Sequence, residues 1–152
     1  MLWRSAPSLK ARALQLLAGR EHSRQELKRK LARHADENDD VDALLDDFER
    51  RGWLCEARFV EQAVRTKSRK YGPLKIVHQL REKGVGEEAI SAGMRLAATG
   101  ERETLASVWR SRFGSPAQDA AQKAKQVRFL QGRGFRLDDI VKFLREAKQA
   151  SQ

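Results

Sequence analysis

The residues of this chain best placed to do chemistry are cations, and they fall in two clusters. Arg65, Lys67, Arg69, Lys70 and Lys75 crowd around Tyr71-Gly72-Pro73, and Arg128, Arg133 and Arg136 surround Gly134. Lys and Arg at this density neutralise successive phosphates on a nucleic-acid backbone, which releases counterions and makes binding depend steeply on salt. Cations at a helix C-terminus also stabilise the helix through its dipole, with no ligand involved. The eight residues are therefore candidates for contact with a partner or with DNA, read beside that plainer role.

Other chemistries find little support. Cys55 is the only cysteine, so no disulfide framework or zinc quartet can form, and we read it as a small residue at a helix start. His22, His34 and His78 are too far apart to suggest a local metal set, and each is expected at the surface or at a helix cap. Asp36 to Glu49 holds eight acids and no base, without the alternating ligand spacing of a calcium loop. That run is expected to open a helix and to supply interhelix salt bridges. Phosphate-loop, dinucleotide-fold and HExxH motifs are all missing from the sequence. We therefore expect a protein that is not an enzyme and uses no metal or cofactor.

The charge balance points to an anionic partner. The chain of 152 residues carries a net charge of +10, and its isoelectric point is near 10.3. Arg50 to Lys83 has ten bases against three acids, and the stretch from Val108 onward has ten against four. Basic faces are thus separated by the acidic run, a pattern suited to nucleic acid, an acidic protein or a charged surface. The N-terminus lacks a long apolar core, and no segment approaches the roughly 20 apolar residues of a membrane span. A soluble, cytoplasmic protein is expected.

The elements that must carry these cations are helical. Leu31, Val41, Leu45 and Phe48 recur in register as Leu80, Ile90, Met94 and Ala97, and again as Leu130, Ile140, Leu144 and Ala147. A period near 50 residues marks stacked units that cannot bury their apolar faces alone. Gly84 and Gly134 follow the lead leucines of the second and third sets by four residues, where the first set has Ala35. Ser23 with Glu26 predicts a capping box, Asp39, Asp40 and Asp42 open a third helix, and Gly52 ends it. In the second unit a helix is expected from Glu56 to Arg69, then a break at Gly72-Pro73 and a restart on the proline. Ser115-Pro116-Ala117-Gln118 is expected to open a longer helix that stops at Gly134, and the tail after Lys148 to fray. Trp3 reads as exposed and interactive, Trp53 and Trp109 as packed at the junctions between units. The expected fold is all-α: three tandem three-helix repeats (1–53, 54–99 and 100–152) in an elongated, curved array.

Four segments, in order, resemble the RecX family. They are Ser23-Arg24-Gln25-Glu26-Leu27-Lys28-Arg29-Lys30-Leu31, then Gly52-Trp53-Leu54-Cys55-Glu56-Ala57-Arg58-Phe59. Lys70-Tyr71-Gly72-Pro73-Leu74-Lys75-Ile76, continuing to Leu80-Arg81-Glu82-Lys83-Gly84-Val85, is the third, and Arg128-Phe129-Leu130-Gln131-Gly132-Arg133-Gly134-Phe135 the fourth. One departure is Cys55, where the family usually has Asp, a far better helix cap. The resemblance implies a regulator that lies along the filament formed by RecA recombinase on DNA. It would restrain filament growth and with it ATP hydrolysis, strand exchange and co-protease activity. The implied partners are the RecA filament and, weakly and without sequence preference, single- and double-stranded DNA, with the protein itself a monomer. Two other readings stay open: a sequence-independent DNA-binding helical module, and a solenoid that binds other proteins.

Overall fold

The structure, a computed structural model, describes residues 5–152, so the reading of Trp3 lies outside the described residues. Among the described residues nine α-helices form: α1 (Leu9–Gly19), α2 (Arg24–Ala32), α3 (Val41–Arg50), α4 (Glu56–Lys67), α5 (Pro73–Glu82), α6 (Glu87–Ala97), α7 (Glu101–Arg112), α8 (Ala120–Gly132) and α9 (Leu137–Ala150). A 3-10 turn, Ala98–Gly100, joins α6 to α7. The chain is all-α, as the periodicity implied.

Helices pack in consecutive threes, and each three has its own core. Leu27, Leu31, Leu45 and Phe48 fill the first, with Ala13 from α1. Phe59, Val60, Val64, Ile76, Leu80, Val85 and Ile90 fill the second. The third holds Leu105, Trp109, Leu130, Phe135, Ile140 and Leu144. The recurring apolar positions are these cores: Leu31, Leu80 and Leu130 are all buried at 1% exposure or less. Burying such a leucine stabilises by roughly 1.5–3 kcal/mol relative to leaving it in water.

Polar side chains decide where helices begin. Ser8, Ser23, Asp40 and Asp119 each accept a hydrogen bond from an early backbone N–H, satisfying donors that the first turn leaves without partners. Cys55 makes no such bond at the head of α4. Four expectations change. The longer helix of the third unit starts at Asp119 and not at Ser115, whose carbonyl accepts instead from the buried Gln126 side chain at 3.2 Å. Helix α4 stops at Lys67, short of Arg69, and α9 runs past Lys148 to Ala150. Neither tryptophan lies between units. Trp109 is buried in the third core, its Nε1 donating to Gln126 Oε1 at 3.0 Å, and Trp53 is 39% exposed with its edge-on partner Phe48 in the first unit.

The units are joined by one device used twice. In the second and third units the turn before the last helix carries a glycine at positive φ, Gly84 or Gly134, followed by a bond from Val85 N–H or Phe135 N–H back to Leu80 or Leu130. Each turn sits on the N-terminus of the second helix of the preceding unit. At the first joint the Ser23 hydroxyl donates to the Lys83 carbonyl at 2.7 Å. At the second, Gly72 N–H donates to Arg133 O at 2.7 Å and Leu74 N–H to Gly134 O at 2.9 Å. Two of the opening donors of α5 are therefore satisfied by the following unit. The backbones cross so closely that a Cβ on Gly72 would lie 2.5 Å from the Gly134 carbonyl carbon.

The two outer ends of the series differ from the joints. Helix α8 begins eleven residues before Leu130 at its cap, whereas Ser23 and Gly72 stand eight before Leu31 and Leu80. At the opposite end the first unit has Ala35 where the other turns have glycine, and no non-glycine among the described residues takes a positive φ.

The glycine at the second joint separates two effects. Gly134→Ala adds a Cβ 2.6 Å from Lys75 N at φ +95°, whereas Gly52→Ala at φ +73° meets nothing within 4 Å. The left-handed conformation costs about 1–2 kcal/mol in either variant, and the crowded joint adds about 1–3 kcal/mol at position 134 alone. Urea unfolding of both variants should show the larger loss for Gly134→Ala. Equal losses would mean that the joint opens without resistance.

Candidate functional site

The two joints share the placing of a glycine turn on a helix start and differ in their contacts, the first bonded through the Ser23 hydroxyl and the second through backbone N–H groups. The first is a neutralised polar cluster. Glu26 is buried at 7% exposure, and the Arg20 guanidinium donates to both of its carboxylate oxygens while Lys83 Nζ stands 3.6 Å away. Burial opposes ionisation of this carboxyl, but Arg20 and Lys83 prevail and hold its pKa at about 2. Its carboxylate is thus committed to the joint, and the reciprocal half of the expected capping box is given up. The neighbouring Glu21 pairs with Arg58 of α4 at 2.9 Å, a second ionic tie between the first two units.

His22 departs from the surface position expected of it, being 1% exposed. Lys30 Nζ, which can only donate, lies 2.9 Å from its Nε2. The proton therefore sits on Nδ1, which donates to the Arg20 carbonyl at 3.0 Å. Burial first, then the charges of Arg20 and Lys30, lower the pKa of this imidazole and keep it neutral.

The acidic run behaves as expected, opening α3 at Asp40 and pairing with α2. Arg24 reaches Asp42, Asp46 and Glu49, and Lys28 reaches Asp42. The cations of the first unit are in this way largely answered by its own acids.

At the second joint the cations are not answered. The fold brings Lys75 from the basic segment together with Arg133 from the other cluster: Lys75 Nζ lies 4.6 Å, and the Arg133 guanidinium 5.5 Å, from the centre of the Tyr71 ring. Arg133 also covers Phe129 at 5.2 Å, and Arg112 lies over Phe129 at 5.5 Å and Phe113 at 5.8 Å. The result is a column of alternating cations and rings, Lys75–Tyr71–Arg133–Phe129–Arg112–Phe113, running across the second and third units. Such contacts contribute about 0.5–1 kcal/mol each at exposed sites and hold the charged groups in place.

The other candidates divide. Arg65, Arg69, Lys70 and Arg128 are exposed and, like Lys75 and Arg133, have no carboxylate within ion-pair distance among the described residues. Lys67 is half-buried and donates to Gln79 Oε1, so it braces α4 against α5. Arg136 pairs with Glu101 at 3.5 Å, while burial pushes the Glu101 carboxyl up. The sequence reading passed over Arg112 and Phe129. Their spacing in the chain hides their proximity, and the basic residue beside Phe113 was the one available signal.

This architecture defines a class: a tandem array of three-helix units with a neutral first joint and a strongly basic second one. Family models for RecX match throughout, the first three-helix domain at residues 10–48, the second at 56–94 and the third at 100–144. The chain is 44% identical over 140 residues to the Regulatory protein RecX of Leptothrix cholodnii, covering 92% of this chain and 89% of that one. It is 48% identical over 128 residues to the Regulatory protein RecX of Herbaspirillum seropedicae, covering 84% and 83%. The crystal structure of RecX from Lactobacillus salivarius superposes with a TM-score of 0.79 at 19% identity, covering 93% of this chain and 95% of that one, and shows the same fold. The chain belongs to the RecX family of regulatory proteins. Among the described residues no helix is long and apolar enough to cross a membrane.

The depressed pKa of Glu26 sets a pH window. A carboxylate more acidic in the folded state contributes stability above its unfolded pKa, and loses it as pH falls toward the folded value of about 2. The midpoint of urea unfolding should therefore fall between about pH 5 and pH 2 more steeply in the native protein than in Glu26→Gln. Parallel curves would mean that Glu26 does not tie the first joint.

Proposed function

We propose that this protein lies along the filament of RecA recombinase on DNA and restrains its extension, and through that its ATP hydrolysis, strand exchange and co-protease activity. Membership of a regulatory family across all three units supports the RecA assignment. The observation that carries the mode of action is the set of cations without acidic partners on a serial array, with Arg65, Arg69, Lys70 and Arg128 exposed and Lys75 and Arg133 half-buried. Separate small cores joined end to end make a long surface, which suits contact along a polymer better than enclosure of a small molecule.

In this reading the cations contact DNA phosphates within the filament or acidic faces of the recombinase, and the contact needs no catalytic group and no cofactor. Binding to single- and double-stranded DNA alone is weak and sequence-independent, because phosphates are read and base edges are not. The protein acts as a monomer in the cytoplasm.

The deciding measurement is RecA's hydrolysis of ATP on single-stranded DNA as this protein is titrated. Inhibition is expected well below one molecule per recombinase protomer, as for blocked extension and unlike simple competition for DNA. Reversing Arg65, Arg69 and Lys70 to Glu should shift the inhibition curve to roughly tenfold higher protein while leaving the melting temperature within a few degrees, since exposed charges contribute little to stability. An unchanged curve would reject this stripe. No inhibition by saturating, folded native protein would reject the filament reading and favour a DNA-binding module.

A further inference from the structure

The repeat allows each position at one joint to be compared with its counterpart at the other, counting from the cap of the second helix. Before the cap, Arg20, Glu21 and His22 of the first unit correspond to Arg69, Lys70 and Tyr71 of the second. Three residues after it, Glu26 corresponds to Lys75, and Lys83 on the docking turn corresponds to Arg133. Both glutamates that tie the first joint are thus lysines at the second. The set Arg20, Glu21, Glu26 and Lys83 is formally neutral, whereas Arg69, Lys70, Lys75 and Arg133 bring four positive charges to the same frame. Backbone hydrogen bonds and the close crossing of Gly72 and Gly134 hold this second joint shut despite the repulsion. Like charges fixed together without a counter-charge bind a polyanion strongly, because the cost of gathering them has been met by the fold.

We infer that the second joint is a binding site for single-stranded nucleic acid, in which backbone phosphates take the place of the carboxylates of Glu21 and Glu26 and bases stack on the cation–ring column. The column decides between nucleic acid and an acidic protein face. Tyr71 and Phe129 lie half-exposed beside Arg133, with Arg112 exposed beyond them, so aromatic rings and guanidinium groups are offered side by side. Carboxylates can pair with the cations but gain no stacking from the rings. Bases with free faces gain stacking energy on an aromatic residue. A duplex hides its base faces and can use the phosphate-binding part alone. The site deepens the filament reading and rests on it for its setting, but it is a property of this chain without the recombinase.

Lys75→Glu tests the site, because it restores at the second joint the residue found at the first. Affinity is read by fluorescence anisotropy with a labelled oligo-dT strand and with a blunt duplex, protein alone, at two salt concentrations. The variant should melt no lower than the native protein and bind the strand roughly tenfold more weakly, with a salt dependence reduced by about one phosphate contact. Phe129→Leu should weaken strand binding several-fold more than duplex binding. Strand affinity unchanged in Lys75→Glu would overturn the site, and equal losses for strand and duplex in Phe129→Leu would overturn its preference for single strands. If Lys75→Glu fails to fold, Lys75→Gln serves with the same readouts. RecA ATP hydrolysis separates this inference from the broader one. Loss of inhibition with strand affinity intact assigns the joint to an acidic recombinase surface and overturns the nucleic-acid site. Loss of strand affinity with inhibition intact upholds the site while removing it from the inhibitory contact.

Discussion

The docking of one unit's glycine turn on the N-terminus of the preceding unit's second helix is the contact on which the rest depends. Each three-helix unit buries only a small core, and cores of this size are marginal alone. The joint supplies polar contacts: a helix start has backbone donors without partners, and a tight turn has carbonyls without partners. Setting one on the other satisfies both sets, as in the paired bonds from Gly72 and Leu74 to Arg133 and Gly134. Glycine is required there because the two backbones approach more closely than any side chain permits.

Once the backbone joint is fixed, side chains around it are free to specialise. At the first joint they are spent on cohesion: Glu26 holds Arg20 and faces Lys83, Glu21 holds Arg58, and His22 is buried as a neutral ring. At the second joint cohesion rests on the backbone, and the same places carry Lys70, Tyr71 and Lys75. Tandem repeats permit this division because a unit contacts only its neighbours, so one joint can change its chemistry without disturbing the other. The acidic run has a comparable local use, since Asp42, Asp46 and Glu49 absorb the charge of Arg24 and Lys28. Positive charge left without a partner is thereby concentrated in the second and third units, where family membership and the proposed filament contact give it a use.

Several features were legible from residue types alone because they arise within one helix or one turn. The apolar period placed Leu31, Leu80 and Leu130 in the cores, Ser23 marked the start of α2, Pro73 the start of α5, and Gly84 and Gly134 the turns. The readings that changed depended on partners remote in sequence. Ser23 and Glu26 have the spacing of a capping box, but Arg20 is a stronger partner for a buried carboxylate than a backbone N–H. Ser115-Pro116 looks like a helix start, yet Gln126 takes the Ser115 carbonyl and Asp119 caps the helix. His22 and Trp109 reveal their burial only when Lys30 and Gln126 are seen to satisfy their nitrogens.

The sequence by itself determined the helical class, the repeat of three, the order of the family segments and the segregation of charge, since periodicity and local propensity carry each of these along the chain. Tertiary structure decided which cations are free. Lys67, Lys75, Arg133 and Arg136 look alike in a basic sequence, but Lys67 braces Gln79, Arg136 faces Glu101, and Lys75 and Arg133 share one tyrosine ring. A charge becomes available to a partner only where the fold supplies no counter-charge, and that depends on which distant residues the joints bring within a few ångströms.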